Sequence, residues 1–106
     1  MPRPGKCYEV AFTFMVEDPR GKKAKLVHGK VRNVIMGQQK WTDHAWVEIG
    51  GMVWDNAYFD NLIPLDAYYR ISDAKPERKY TWQQAANQAL KHKTYGDWHI
   101  KTGKKR

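Results

Sequence analysis

Two adjacent glycines, Gly50-Gly51, constrain this chain more than any other feature. They separate Thr42-Asp-His-Ala-Trp-Val-Glu-Ile49 from Met52-Val-Trp-Asp55, two runs rich in β-branched and aromatic residues that read as strands. Gly-Gly supplies the two positive φ angles of a tight type I′ turn, which makes the pair an antiparallel hairpin. With these turn residues, Ile49 lies opposite Met52, Glu48 opposite Val53, Val47 opposite Trp54, Trp46 opposite Asp55 and His44 opposite Ala57. Side chains alternate with period two. His44, Trp46, Glu48, Val53, Asp55 and Ala57 therefore share one face, and Ala45, Val47, Ile49, Met52 and Trp54 the other. His44 and Asp55 become diagonal neighbours, roughly 7–8 Å apart at the backbone and within side-chain reach. A carboxylate so placed accepts a ring N–H, fixes the tautomer and raises imidazole basicity. Everything hangs on loop length, because a slip by one residue sends the two side chains to opposite faces.

The chain has 106 residues, enough for a single domain with one core and too few for two ordinary domains. Apolar residues make up 42%, with five Trp, six Tyr and three Phe, which points to a folded globule rather than a disordered chain. No apolar run is long enough for a transmembrane helix. The start, Met-Pro-Arg-Pro-Gly-Lys, lacks the apolar stretch of a secretory signal, so a cytoplasmic location is expected. The single cysteine excludes an internal disulfide and suits a reducing compartment. The net charge of +8 favours anionic partners. It is concentrated in a loop, Arg20-Gly-Lys-Lys-Ala-Lys25, and in a basic tail over about 100–106. Basic tails are more often solvated ends than binding sites.

Pro2 and Pro4-Gly5 hold a first helix back to Lys6 or Cys7. Cys7, Val10, Ala11 and Phe14 follow helical spacing, as do Tyr8, Ala11, Phe12 and Met15. Val, Phe and Thr would also suit a strand here, but the spacing favours a buried helix ending before Pro19. Lys25 to Ile35 alternates as a strand, and a bulge at Gly29 could re-aim His28. Residues 36–41 read as a loop. Asn61 to Tyr69 reads as a turn into a short helix starting near Pro64, with Tyr68, Tyr69 and Ile71 closing over the core. Asp73 to Lys79 is polar and contains Pro76, so it reads as a loop. Thr81-Trp-Gln-Gln84 fits a capping box, opening a helix to about Lys93 with an apolar stripe of Trp82, Ala85, Ala86, Ala89 and Leu90. Tyr95 and Trp98 then pack back on the body. The expected fold is a single α+β domain over 1–106: an N-terminal helix on an antiparallel sheet of about three strands, followed by one or two C-terminal helices.

Cys7, His44 and Asp55 form a candidate Cys-His-Asp triad. A reactive cysteine must be held as thiolate, which a helix N-terminus and an adjacent imidazolium both favour. Asp55 would orient His44. Each residue also has an ordinary reading: Cys7 as a small buried apolar residue, His44 as a satisfied strand-end histidine, and Asp55 as an acid bonded to nearby backbone. Asp43 and Asp60 are rival orienters, although Asp43 points away from the His44 face. His28 could line the site or hold a loop. Trp46, Trp54, Trp82 and Trp98 read first as core. Cys7, His28, His44 and Asp55 are all zinc-ligand types, but no tight pair such as C-x-x-C or H-x-x-x-H occurs, so neither a metal nor another cofactor is expected.

Cys7-Tyr opening a helix, then His44-Ala-Trp-Val-Glu48, a short turn and Val53-Trp-Asp55, resembles the core of the transglutaminase-like and papain-like cysteine-enzyme superfamily, and in particular small phage and bacterial proteins of that kind. Leu26-Val-His-Gly29 and Tyr95-Gly-Asp-Trp98 extend the resemblance over about residues 7–98. It implies a papain-like/transglutaminase-like core, with Cys7 as nucleophile, His44 as general base and acid, and Asp55 as orienting carboxylate. The implied chemistry is acyl transfer at a protein or peptide amide through a thioester: hydrolysis, deamidation or cross-linking. The chain departs from the pattern in one respect. Papain-like peptidases carry an upstream glutamine as oxyanion donor, whereas only six residues precede Cys7 here and none is Gln. The Cys7 backbone N–H would need another donor, with Trp41 and His28 as candidates and Trp46 as a further site-lining residue. The alternative function is a basic module on the same scaffold, with an inactive triad, binding nucleic acid or an anionic protein through the basic loop and tail.

Overall fold

The computed structural model describes residues 6–32, 37, 40–55, 59–96 and 98. The end of the expected first strand (33–35), Ala57, the side chain of Asp60 and the basic tail lie outside the described residues. Helix α1 spans Lys6–Glu17, followed by a 3-10 turn at Gly21–Lys23. Strands β1 (Lys25–Val31), β2 (Thr42–Ile49), β3 (Met52–Asp55) and β4 (Phe59–Pro64) come next, then α2 (Leu65–Ser72), β5 (Lys75–Thr81) and α3 (Trp82–His92). The strands form one sheet in the order β4-β3-β2-β1-β5, with every neighbouring pair antiparallel. The fold is therefore α+β with the expected N-terminal helix. None of the helices among the described residues is long and apolar enough to cross a membrane.

The hairpin has the register that the glycines dictate. Gly50 and Gly51 have φ of 53° and 80°, and Ile49 pairs with Met52, Glu48 with Val53 and Val47 with Trp54. The β2–β3 pairing ends there, short of the expected Trp46–Asp55 pair, and Asp55 is paired with Phe59 of β4. Alternation along β2 then separates two cores. Ala45, Val47 and Ile49, with Leu26 of β1, pack under Cys7, Tyr8, Ala11 and Met15 of α1 and Ala85 of α3. On the opposite face Trp46 packs with Val27, Val31, Val53 and Tyr68 of α2. Met15, Leu26, Trp46 and Tyr68 are fully buried, and an aliphatic side chain so placed contributes roughly 1.5–3 kcal/mol. Phe14 stacks flat on Trp54 at 4.0 Å between centroids, which ties α1 to β3 as well as β2.

The sheet has five strands, not the expected three. β5 was expected to be a loop because it is polar and contains Pro76. It is an edge strand, exposed along nearly its whole length, and on an edge no apolar alternation is required and proline and lysine are tolerated. Its one inward residue, Tyr80, is paired with Leu26 and packs on the α1–α3 core. β4 was expected to be a turn. It forms the other edge, and its Pro64 caps α2 as the spacing suggested. The capping box of α3 is present in both directions: Gln84 N–H donates to Thr81 Oγ1 at 3.1 Å, and Thr81 N–H donates to Gln84 Oε1 at 2.9 Å. Trp98 is buried and Tyr95 packs on Phe12 at 5.7 Å, so the C-terminal aromatics do fold back.

The bulge expected at Gly29 is real and lies on the β5 side, where the register shifts between His28 and Gly29. A Cβ at Gly29 would meet the Lys75 carbonyl oxygen at 2.2 Å, so only glycine allows β5 to approach here. Gly29→Ala is expected to lower stability by about 1–3 kcal/mol, as other overpacking changes do. Urea unfolding checks this, and an unchanged midpoint would show that β5 is not held against β1 at this point.

Candidate active site

Each candidate residue is delivered by a different element. Cys7 lies in the first turn of α1, where unpaired backbone N–H groups and the helix dipole favour negative charge. His44 is the third residue of β2 and Asp55 the last of β3. The two share a face, and His44 Nε2 lies 2.7 Å from Asp55 Oδ2. The carboxylate can only accept, so it sets the tautomer with Nε2 as donor. Nδ1 is then the ring nitrogen left to act as a base. The Cys7 side chain lies close enough to the ring to help raise its proton affinity. The structure thus brings Cys7, His44 and Asp55 together.

A fourth side chain completes the group. Tyr68 of α2 donates its hydroxyl to Asp55 Oδ2 at 2.6 Å. The chain Cys7–His44–Asp55–Tyr68 crosses from the α1 layer through two strands to the α2 layer. It is almost closed to solvent, with exposures of 7%, 5%, 3% and 0% in that order. Sequence reasoning placed Tyr68 in the core and missed its bond to Asp55. The only available signal was general: a buried tyrosine hydroxyl usually finds an acceptor.

Burial is the largest influence on His44 and disfavours its charged form. Hydrogen bonds to Asp55 and Cys7, with the charges of both groups, outweigh burial and raise the imidazole to about 9. Near neutral pH the ring is therefore an imidazolium.

The residues expected to line the site divide differently. Trp46 does border it, stacking on His44 with centroids 6.2 Å apart. It is fully buried, however, and its indole N–H points to Tyr69 Oη at 3.4 Å, so it supports the ring rather than offering a donor to substrate. His28 stands on the other sheet face, paired with Ala45, and is boxed by Tyr8, Tyr80 and Trp98 at 4.8, 5.1 and 5.1 Å. It packs as an aromatic ring there and does not join His44. Trp41 lies beneath two cations, Arg32 at 4.7 Å and Lys75 at 5.2 Å. Asp43 faces away from His44 and pairs with Lys30 at 2.6 Å, as a rival on the wrong face should. Among the described residues, no three of His, Cys, Asp and Glu are grouped as a metal-binding set.

A second polar cluster shares the Trp46 face. Tyr69 donates to Glu48 Oε2 at 2.5 Å, and Lys79 reaches Glu48 Oε1 at 3.1 Å. Burial first, and then the bond to Glu48, push the Tyr69 phenol above its ordinary value.

No family model, curated protein or solved structure matches the chain, so the site is read from its own geometry.

The raised His44 value has a consequence for stability. A group whose folded value of about 9 exceeds its ordinary 6.5 contributes stability that is fully present below pH 6.5 and is lost as pH rises through about 9. Between pH 6 and pH 10 the wild type is expected to lose more thermal stability than His44→Gln. Parallel melting curves for the two proteins across that window would contradict the coupling.

Proposed function

We propose that this protein is a cysteine-dependent acyl-transfer enzyme acting on protein or peptide amides, of the transglutaminase-like or papain-like class that its sequence resembles. The observation that carries this reading is the His44 ring, which meets a buried carboxylate at 2.7 Å and has the Cys7 side chain as its other polar neighbour. Nucleophile, base and orienting group are arranged in series.

His44 holds the proton while the Cys7 sulfur attacks the amide carbonyl carbon. As the tetrahedral intermediate collapses, the C–N bond breaks and His44 returns its proton to the leaving amine. The acyl group remains on Cys7 as a thioester. His44 then takes a proton from water or from a second amine, which attacks the thioester and releases an acid or a new amide. Asp55 keeps the ring in register through both halves.

The test is the rate of Cys7 alkylation by iodoacetamide near neutral pH, in the wild type and in His44→Ala. The wild-type thiol is expected to react at least about tenfold faster than the variant. Release of ammonia or amine from a peptide-amide library should vanish in Cys7→Ala. A thiol that is inert, or indifferent to His44, removes the basis for the enzyme reading.

A second reading, a basic module for nucleic acid or an anionic protein, is favoured by Lys75, Arg78 and Lys79, which are exposed along the β5 edge. Its signature is salt-sensitive polyanion binding that persists unchanged in Cys7→Ala.

A further inference from the structure

One oxygen of Asp55, Oδ2, accepts from two donors: His44 Nε2 at 2.7 Å and Tyr68 Oη at 2.6 Å. The second donor is fixed by the fold. Helix α2 is pinned at its start, where Leu65 N–H donates to Gly51 O at 2.9 Å. It is pinned at its end, where Arg32 N–H donates to Ser72 O at 2.9 Å. Ser72 in turn donates its hydroxyl to Tyr68 O at 2.6 Å, and Arg32 Nε pairs with Asp73 at 2.8 Å. The helix therefore cannot slide or rotate without breaking bonds at both ends, and Tyr68, fully buried at its middle, is aimed at the carboxylate.

We propose that Tyr68 is a positioning residue: it holds the Asp55 carboxylate in the orientation His44 needs and, by sharing Oδ2, limits how tightly that carboxylate keeps a proton on the ring. An oxygen that accepts a strong O–H bond has less charge to offer a second donor. The hydroxyl dipole also directs its positive end toward the place where the imidazolium sits, which disfavours the charged ring. A ring that must give a proton to a leaving amine and take one back from water works best with a proton affinity near the operating pH. Without Tyr68, Asp55 would hold the proton more firmly than this exchange requires. Among the described residues, the groups facing the ring include Cys7 from α1, Asp55 from β3, Trp46 from its own strand and, through Asp55, Tyr68 from α2. The inference rests on the enzyme reading for its use but not for its test, which follows a titration rather than turnover.

The test is the NMR titration of the His44 ring in the full chain. In Tyr68→Phe the midpoint is expected to rise by roughly 0.5–1 pH unit, the size of one hydrogen bond to a charged group shared between two donors. The pH profile of Cys7 alkylation should move with it. Tyr69→Phe, which removes a bond to Glu48 instead, should leave the midpoint in place. Site-specific replacement of Tyr68 by 3-fluorotyrosine, a stronger donor of nearly the same shape, should lower the midpoint and keeps the test open if Tyr68→Phe does not fold. A midpoint that stays put in both variants, or that falls in Tyr68→Phe, overturns the proposal. If the midpoint moves as expected while no amide is ever cleaved, Tyr68 keeps its role and the enzyme reading falls.

Discussion

The site depends on the register of one hairpin. Gly50 and Gly51 both sit at positive φ, so the turn closes with two residues. That count puts His44 and Asp55 on the same face, and a turn with one residue more or fewer would part them whatever their chemistry. The same count places Ala45, Val47 and Ile49 beneath α1, which carries Cys7, and Trp46 beneath α2, which carries Tyr68. One turn thus sorts the two cores and assembles the polar chain between them. The β2–β3 pairing stops at Trp54 while β3 stays paired with β4, and Asp55 reaches His44 through its side chain rather than through the ladder.

The apolar packing provides the rigidity and the polar chain uses it. Phe14 on Trp54 fixes α1 against β3, and the bonds at Leu65 and Ser72 fix α2 against the hairpin turn and the end of β1. α1 is thus held to the strand that carries Asp55, and α2 to the turn that joins the His44 and Asp55 strands. A hydrogen bond of 2.6–2.7 Å to a buried carboxylate tolerates little drift, and this arrangement allows little.

The sequence disclosed the parts of the fold in which a local signal and the tertiary environment agree. The Gly-Gly turn, the Thr81–Gln84 box and the stop at Pro19 each carry their own chemistry, and the structure keeps them. β5 was illegible because a strand paired on one side, with both faces largely in solvent, has no apolar period. Lys75-Pro-Glu-Arg-Lys79 looks like a loop because an edge strand is permitted to look like one. β4 was hidden by Asn61 and Pro64, turn-type residues that announced only the helix after them. The meeting of Cys7, His44 and Asp55 could be argued from register and helix position. Tyr68 could not, because its approach to Asp55 is set by two backbone bonds from residues distant in sequence, Gly51 and Arg32. His28 misled for a related reason: a histidine suggests chemistry, but parity of the strand put it on the face where three aromatic rings enclose it.

Stability alone does not explain the composition of the polar chain. Bringing a carboxylate and an imidazolium out of water costs several kcal/mol per ion, and their mutual attraction often no more than offsets it. Apolar side chains of similar volume at positions 44, 55 and 68 would pack the gap between the layers at least as well. A binding module that works through exposed lysines on β5 has no need of a buried acid, a charged ring and a phenol in series with its one cysteine. On the proposed enzyme reading each has a use: a base beside the thiol, a carboxylate that holds the base in one tautomer, and a donor that positions the carboxylate. The enzyme reading is the one that gives every member of the chain a task.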